Sequence, residues 1–382
     1  MSHEADAPVF LLGAARSGTT LLYKALCLHP EAAYISNWVQ RYPGFTPLAV
    51  LNRFATRVPQ LQRRAWFQGH NAYVYGERRP LMKRLTPAPV EGERLFAHCG
   101  IGPRPVEEPP PVDAAIVALR EAFASVTRWG GGRVLVSKRI ANNWRIPLLL
   151  TAFPEARFVA IVRDGRAVAV SLSRVDWWDK GDLWWTDTTP RAWRASGGHP
   201  MELCARNWVE EVEAIERGIG HVPAGRVVTI RYEDFIEAPH AVLADVAGFA
   251  GLQAEDSTWR ERLGVLEFPN ANDGWRRVLE GDDLARVEAI EGEALGRYGY
   301  PTRSVAAGGG DHPRTNEDVR DSADGGGMLS GHADLASIAA APPDQTTGKA
   351  VAPRVRKPNE WSSAAAELPH HRRSASRNDL AP

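Results

Sequence analysis

The stretch VFLLGAARSGTTLL, from Val9 to Leu22, decides the fold. An apolar run stops at Gly13, a short loop follows, and Thr19 leads into an apolar helical pattern, which together predict a strand, a loop and a helix. The backbone N–H groups of such a loop and the N-terminus of the helix converge on one spot, where an anion binds well.

The side chains of this loop add hydrogen-bond donors. Arg16 offers a charged fork, and three hydroxyl-bearing residues follow it: Ser17, Thr19 and Thr20. The spacing from Gly13 to Gly18 matches the phosphate-binding pattern G-x-x-x-x-G-K-[ST], except that Thr19 stands where an ATP-binding loop carries lysine. A tight turn whose hydroxyls only cap the helix is the alternative, but Arg-Ser-Gly-Thr-Thr directly after a strand favours phosphate binding.

Composition restricts the class of protein. The chain has 382 residues, and a hydrophobic fraction of 44% supports a sizeable core. The formal net charge is zero, so nothing indicates a nucleic-acid partner. The three cysteines are far apart in the sequence, which predicts neither a disulfide framework nor a zinc site. The sequence has no signal-peptide pattern at its N-terminus and no apolar run of about 20 residues. We therefore expect a cytoplasmic protein without membrane insertion.

Apolar runs alternate with helical patterns along the chain. The predicted strands after the first are residues 34–35, 133–137, 157–162 and 226–230. The predicted helices between and after them are residues 112–128, 142–153, 202–217, 239–248 and 281–297. This alternation predicts an α/β fold of P-loop type, a three-layer α/β/α arrangement with a central parallel sheet.

The domain organisation follows from a change of composition near Thr302. Residues 8–302 are predicted to form one α/β domain, and residues 303–382, rich in Gly, Ser, Asp, Pro and Arg, to form a disordered tail. Within the domain, residues 176–200 contain five tryptophans with little periodicity, which indicates a surface excursion. These indoles fit an acceptor pocket and burial under a lid equally well.

A second candidate segment runs from Arg163 to Ser171 and reads RDGRAVAVS. Arg163 stands where a strand ends, at the edge of a parallel sheet where ligands bind. Ser171 lies eight residues further on, in the following helix. Taken alone, the segment also fits an ordinary ion pair between Arg163 and Asp164 followed by an ordinary helical serine.

Together the two segments resemble the sulfotransferases that use 3′-phosphoadenosine-5′-phosphosulfate (PAPS), in their bacterial and tyrosylprotein-type branch. Further matching segments, over roughly residues 8–301, are LHPE at 28–31, FPEARF at 153–158, RYEDF at 231–235 and GWRRVL at 274–279. The resemblance implies that the loop around Arg16 grips the 5′-phosphosulfate, and that Arg163 and Ser171 grip the 3′-phosphate. It implies no metal.

The implied reaction moves a sulfuryl group from PAPS to a hydroxyl or amine acceptor and releases 3′,5′-ADP. The acceptor is expected to be a carbohydrate, a lipid or a small metabolite. By resemblance, Lys138 contacts the transferring group, although a solvated lysine at a strand end is the alternative. Tyr232 either touches the nucleotide or braces a turn. Arg276 either closes over the nucleotide or is an exposed basic residue.

The catalytic base is where the chain departs from the tyrosylprotein-type pattern. That branch carries carboxylates a few residues after His-Pro, whereas this chain reads YISNW at 34–38. The candidates to replace them are Glu91 and Glu93, in a Pro-x-Glu-x-Glu segment, and then His70. Each also fits a surface or hydrogen-bonded position.

Two neighbouring features are interpreted as structural. Asn142 and Asn143 are expected to cap the next helix, and His29 is expected to belong to a helix-ending turn.

Two other functions stay open. A P-loop nucleotide kinase would bind Mg-ATP, but the absence of lysine at position 19 argues against this function. A non-catalytic nucleotide-binding protein of the same fold would need no base.

Overall fold

The computed structural model describes residues 6–67, 84–103, 113–270 and 272–302. Within these ranges, five strands form one parallel sheet in the order β2-β3-β1-β4-β5. The strands are β1 (Val9–Leu12), β2 (Ala32–Ala33), β3 (Val134–Lys138), β4 (Arg157–Val162) and β5 (Val227–Arg231). The strands predicted at 133–137, 157–162 and 226–230 are thus confirmed to within one residue.

Helices connect and cover these strands. In the described ranges they are α1 (Thr19–Cys27), α2 (Asn37–Arg41), α3 (Val50–Arg57), α4 (Pro59–Trp66), α5 (Glu93–His98), α6 (Asp113–Gly130), α7 (Ile146–Ala152), α8 (Gly165–Leu172), α9 (Pro190–Ala195), α10 (Pro200–Ile219), α11 (Tyr232–Glu237), α12 (Pro239–Phe249), α13 (Ser257–Gly264) and α14 (Gly281–Arg297). Short 3₁₀ turns span Thr46–Ala49, Ile140–Trp144, Trp178–Lys180, Ala224–Arg226 and Asn272–Arg277.

The central strand β1 is buried on both faces. Val9 and Leu11 pack into a cluster that includes side chains of α1 and α12, whereas Phe10 and Leu12 pack into a cluster on the opposite face with α6 and α7. The Phe10 ring lies 5.6 Å from that of Phe158 in β4. A continuous apolar strand is what a sheet covered on both faces requires, and the predicted three-layer α/β/α fold is confirmed.

The pairing register brings the ends of the strands to one edge of the sheet. Leu11 pairs with Lys138 and Leu12 pairs with Ala160. Val162 pairs with Arg231 at the end of β5. Because all strands run in the same direction, the loops that follow β1, β3, β4 and β5 emerge together at the carboxyl edge.

The turn after α1 has the structural role predicted for it. His29 is fully buried, and its Nε2 lies 3.0 Å from the carbonyl oxygen of Gln253. Its Nδ1 accepts a hydrogen bond from the backbone N–H of Glu31 at 3.1 Å, and the ring packs edge-on against Trp259. The imidazole therefore ties the end of α1 to the chain before α13.

Two predicted elements are wrong in their bounds. The second strand is Ala32–Ala33 and not residues 34–35, because the backbone leaves β3 there: the Tyr34 carbonyl accepts from Asn52 Nδ2 and the Ile35 carbonyl accepts from the N–H of Val90. The helix predicted at 142–153 is split into the 3₁₀ turn and α7. Pro147 has no N–H to continue a preceding helix but suits the first turn of a new one.

The segment at 176–200 is only partly a surface excursion. Trp178 is buried in a cluster with Leu172 of α8 and Leu203 of α10, whereas Trp177 is half exposed. The predicted tail at 303–382 and the candidate His70 lie outside the described residues. The boundary between domain and tail stays a prediction.

Candidate functional site

The carboxyl edge of the sheet carries a cavity of about 430 Å³. Open parallel sheets bind ligands at this edge. The cavity lining includes Arg16, Thr19 and Thr20 from the first loop and helix, Glu91 and Glu93, Lys138 and Ile140 after β3, Trp177, Trp178 and Trp184, and Asn207 and Glu211 of α10.

The loop after β1 is braced by a side chain from the 3₁₀ turn that follows the neighbouring strand β3. Asn143 Oδ1 accepts from the N–H of Gly13 at 3.1 Å, and Asn143 Nδ2 donates to the Gly13 carbonyl at 3.1 Å. The same Nδ2 donates to Glu211 Oε2 at 2.6 Å. The prediction that Asn142 and Asn143 cap the next helix is wrong, because α7 has no side-chain cap. The Asn143 amide bonds Gly13 and Glu211, and the buried Asn142 amide has no hydrogen-bond partner among the described residues.

Arg16 has a left-handed backbone with φ 73°, which is uncommon for a residue other than glycine. Strain of this kind is concentrated at functional sites. The Arg16 Nε donates to Ser171 Oγ at 3.0 Å, and its carbonyl accepts from Arg163 Nη1 at 2.9 Å. The two segments singled out in the sequence are thus in direct contact.

Gly18 precedes α1 with φ 87°, and the Tyr232 ring lies so close that a Cβ at position 18 would come within 2.5 Å of it. The Arg163 guanidinium also packs against the Tyr232 ring, 4.4 Å from its centroid. The hydroxyls of Ser17 and Tyr232 are buried and have no hydrogen-bond partner among the described residues. Unpartnered buried hydroxyls beside a helix N-terminus fit an anionic ligand.

A hydrogen-bond network holds Arg163 in place. Its Nε donates to Asn272 Oδ1 at 2.9 Å, and Asn272 Nδ2 donates to Glu233 Oε1 at 2.9 Å. The Tyr300 hydroxyl donates to the other oxygen of Glu233 at 2.7 Å. Glu233 therefore braces the turn after β5, while the neighbouring Tyr232 faces the loop.

Lys138 ends β3 and is 4% exposed. Its Nζ forms an ion pair with Glu91 Oε1, and Glu91 Oε2 accepts from the N–H of Ile140 at 3.2 Å. Arg139 Nε donates to Glu93 Oε1 at 2.7 Å, and its guanidinium stacks on Phe96. Both candidate carboxylates therefore lie at the cavity, and each is held by a cation from the end of β3.

Glu211 is the strongest electrostatic outlier of the cavity. It is 4% exposed. Burial and then the Glu91 carboxylate raise the pKa of its carboxyl, whereas the Asn143 and Trp144 side chains and the charge of Lys138 lower it, and the net result is a pKa of about 7. A carboxyl with such a pKa exchanges a proton near neutral pH.

The indoles around the cavity differ in their environment. Trp177 is half exposed and Trp178 is buried. Trp185 donates its Nε1 hydrogen to Asn207 Oδ1 at 3.0 Å and thereby ties this segment to α10. Three indoles, those of Trp177, Trp178 and Trp184, thus contribute to the lining of the cavity.

The structure brings most of the predicted residues together. Arg163, Ser171 and Tyr232 reach the loop through the contacts above, without lining the cavity. Arg276 lies apart: its guanidinium stacks on Trp275, its Nε is 3.5 Å from Asp273 Oδ1, and its side chain is largely exposed. It shares a 3₁₀ turn with Asn272, the residue that holds Arg163.

Two residues of the site were missed in the sequence. Asn143 was assigned to a cap, and its neighbour Asn142 gave no reason to separate the two. Glu211 was hidden inside a strong helix, although it left a signal: it falls on the buried stripe of α10, with Trp208 and Val212. A charged residue on an apolar helix face is a candidate for function.

Among the described residues, no group of three or more His, Cys, Asp or Glu side chains is placed to hold a metal ion. The absence of a metal from the reaction stays a prediction. Across the same ranges, no helix combines the length and the apolar character needed to cross a membrane.

A sequence model of the sulfotransferase family matches residues 8–256. The chain is 24% identical over 327 residues to omega-hydroxy-beta-dihydromenaquinone-9 sulfotransferase Stf3 of Mycobacterium bovis, a match that covers 78% of this chain and 76% of the relative. The same figures hold for the protein of that name from Mycobacterium tuberculosis.

Two solved structures are also similar. Sulfotransferase STF9 from Mycobacterium avium matches at 15% identity and a TM-score of 0.48, with 77% of each chain covered. Sulfotransferase STF1 from Mycobacterium tuberculosis H37Rv matches at 16% identity and a TM-score of 0.46, with 77% of this chain and 78% of that one covered.

Proposed function

Because the chain belongs to the sulfotransferase family, we propose that it transfers a sulfuryl group from PAPS to an acceptor hydroxyl or amine and releases 3′,5′-ADP. One observation carries the choice of donor. The loop residue Arg16 contacts both Ser171 and Arg163, so the two segments expected to hold the two phosphates of PAPS form one unit.

The chemistry of the donor set fits a nucleotide with two phosphate groups. Arg16 and Arg163 supply two guanidinium groups, which suit phosphate oxygens. The hydroxyls of Ser17 and Tyr232 are buried without partners in the described ranges. The N-terminus of α1 adds oriented N–H groups.

The residues of this chain have separate tasks in the proposal. Arg16, Ser17 and Gly18, with the hydroxyls of Thr19 and Thr20, hold the 5′-phosphate and stabilise charge that develops on it. Bound PAPS supplies an activated sulfuryl group on that phosphate. The sulfuryl group carries less negative charge than a phosphoryl group, so Thr19 is a sufficient replacement for the lysine of ATP-binding loops.

Five further residues have tasks in the proposal. Arg163 and Ser171 hold the 3′-phosphate, and the Tyr232 ring packs against the Arg163 guanidinium and helps to position it. Arg276 closes over the nucleotide from the turn that contains Asn272. Lys138, at the end of β3, contacts the transferring group and stabilises the leaving oxygen.

The acceptor is proposed to be a hydroxyl compound that stacks on an aromatic wall: a lipid, a carbohydrate or a small metabolite. Trp177 and Trp184 line the cavity, and indoles bind apolar chains, rings and sugar faces. The relatives named for an omega-hydroxy menaquinone derivative favour a lipid-type alcohol as the first class to try.

Calorimetric titration of the full chain with 3′,5′-ADP, 5′-AMP and Mg-ATP tests the donor. We expect 3′,5′-ADP to bind most tightly. Removal of its 3′-phosphate should cost affinity in the unaltered protein but little in a Ser171→Ala, Arg163→Ala double variant. Arg217→Ala, an exposed arginine of α10, is the control.

The outcomes separate the candidate functions. No binding of 3′,5′-ADP contradicts the proposal. Tighter binding of Mg-ATP than of 3′,5′-ADP supports a kinase-like protein instead. Binding of 3′,5′-ADP without sulfuryl transfer from PAPS to any of a broad panel of alcohols, phenols and amines supports a non-catalytic nucleotide-binding protein.

A further inference from the structure

Glu211 is a buried carboxylate that lines the cavity from the middle of α10. Its Oε2 accepts from Asn143 Nδ2 at 2.6 Å, and the same amide holds both backbone polar groups of Gly13. The position of the carboxylate is therefore fixed relative to the loop after β1. Arg16 and Lys138 line the same cavity.

The other two glutamates of the cavity are held by cations. Glu91 is paired with Lys138, and Glu93 is paired with Arg139. A proton taken up by either carboxylate would break an ion pair. Glu211 is bonded to a neutral amide, and this hydrogen bond to one oxygen persists when the other oxygen is protonated.

The groups that act on Glu211 from the elements packed against it have mixed signs. Asn143 and Trp144 in the turn after β3, and Lys138 at its end, favour the anion, whereas burial and Glu91 favour the neutral acid. The balance leaves a carboxyl whose pKa is about 7. A general base is most effective when its pKa lies near the working pH.

We infer that Glu211 is the general base that deprotonates the acceptor hydroxyl, an assignment that rests on the proposed sulfuryl transfer. A bond forms between the acceptor oxygen and sulfur while the bond from sulfur to the 5′-phosphate oxygen breaks, and that electron pair stays on the phosphate. The acceptor proton moves to the Glu211 carboxylate, which later releases it to water.

Kinetics of Glu211→Gln give the first test. With farnesol and 2-naphthol as probe acceptors, we expect kcat to fall by about 10²–10⁴-fold, the usual range for loss of a general base. The affinity for 3′,5′-ADP should change by less than about threefold, because the amide oxygen of glutamine can still accept the hydrogen bond from Asn143 and so keep the loop braced. The kcat of the unaltered enzyme should rise with pH through about 7, and this rise should vanish in the variant.

Infrared spectra of the ligand-free full chain give a readout that needs no acceptor. Between pH 5 and 9, we expect a carboxyl band that titrates near pH 7 in the unaltered protein and is missing in Glu211→Gln. Burial also raises the pKa of Glu291, so any band from that carboxyl should be common to both proteins. The neighbouring Glu210→Gln, altered on the same helix, is the matched control and should keep both the band and the activity.

Glu211→Asp covers the case in which the glutamine variant does not fold. It keeps a base on a shorter side chain, so kcat should fall while the dependence on pH persists. The inference is overturned if a carboxyl band that titrates near pH 7 persists in Glu211→Gln, or if that variant keeps kcat within about threefold. Failure of 3′,5′-ADP to bind the unaltered protein contradicts the proposed function itself, whereas binding and turnover that do not depend on Glu211 contradict the base alone.

Discussion

The two halves of the proposed site, in and beside the cavity, are built differently. The donor side, defined as residues 13–20 together with Arg163, Ser171 and Tyr232, comes from two short continuous segments and one residue after β5. The acceptor side, defined as Glu91, Lys138, Trp177, Trp184 and Glu211, takes one or two residues from each of several distant elements. Lys138 and its partner Glu91 are 47 residues apart, and Glu211 is 68 residues from Asn143.

The halves also differ in how their charges are held. On the donor side, Arg16 bonds a hydroxyl, and Arg163 bonds an amide and a carbonyl. On the acceptor side, Lys138 is paired with a carboxylate. We take this to mean that the donor side binds the anionic groups of the nucleotide, whereas the ion pair on the acceptor side rearranges during transfer. If so, substitutions on the two sides should separate binding from turnover.

Lys138→Met should have the largest effect and should be confined to turnover. We expect kcat to fall by about 10²–10³-fold, as for the loss of one electrostatic donor, with 3′,5′-ADP affinity nearly unchanged. Steady-state kinetics and calorimetry measure the two quantities. Lys180→Met, at an exposed lysine, is the control. The change also leaves the Glu91 carboxylate without the cation that pairs with it. Recovery of kcat in a Lys138→Met, Glu91→Gln double variant would therefore show that Lys138 has no direct role.

Asn143→Ala should remove the hydrogen bonds that connect Gly13 on the donor side with Glu211 on the acceptor side. It leaves the N–H and carbonyl of Gly13 and the Glu211 carboxylate without their partner, which predicts a loss of about 3 kcal/mol in the free energy of unfolding. Urea denaturation measures it. Asn142→Ala is a matched control, since Asn142 is also buried but its amide has no hydrogen-bond partner among the described residues. Equal losses in the two variants would contradict the bracing role.

Arg16→Ala and Arg163→Ala should affect binding on the donor side. Each is expected to weaken 3′,5′-ADP binding by about 1–3 kcal/mol, the worth of a charged hydrogen bond. Because the Arg163 guanidinium donates to the backbone carbonyl of Arg16, the two positions are in contact, and the losses in the double variant should not simply add. Calorimetry of all three variants measures this coupling, and unchanged affinity in both single variants would refute the clamp.

Trp177→Ala should have the smallest effect and only on the acceptor. Trp177 is 51% exposed, so its removal should raise the acceptor KM by about fivefold, equivalent to about 1 kcal/mol of stacking. The affinity for 3′,5′-ADP should not change. Trp129→Ala, an exposed indole on α6, should alter neither quantity. An effect on nucleotide binding would contradict the division of the cavity into two sides.

Much of the fold was predictable because its signals are local. The strand from Arg157 to Val162 and the helix from Gly281 to Arg297 lie where the hydrophobic pattern put them. The errors occur where tertiary partners replaced local pairing. The chain leaves the sheet at Tyr34. There the Asn52 amide donates to the Tyr34 carbonyl, and the N–H of Val90 donates to the carbonyl of Ile35.

The sequence by itself determined the sheet, the phosphate loop and the two segments expected to hold PAPS, because each is encoded in consecutive residues whose spacing sets their geometry. Only the tertiary structure decided the rest. The contact between Arg16 and Ser171 joins β1–α1 to α8. The amide of Asn143 is used on Gly13 rather than on a cap. Glu211 acquires its raised pKa from burial and from charges on other elements. A local sequence pattern does not reveal such environments, since they arise from elements that are distant in the sequence and meet only in the folded protein.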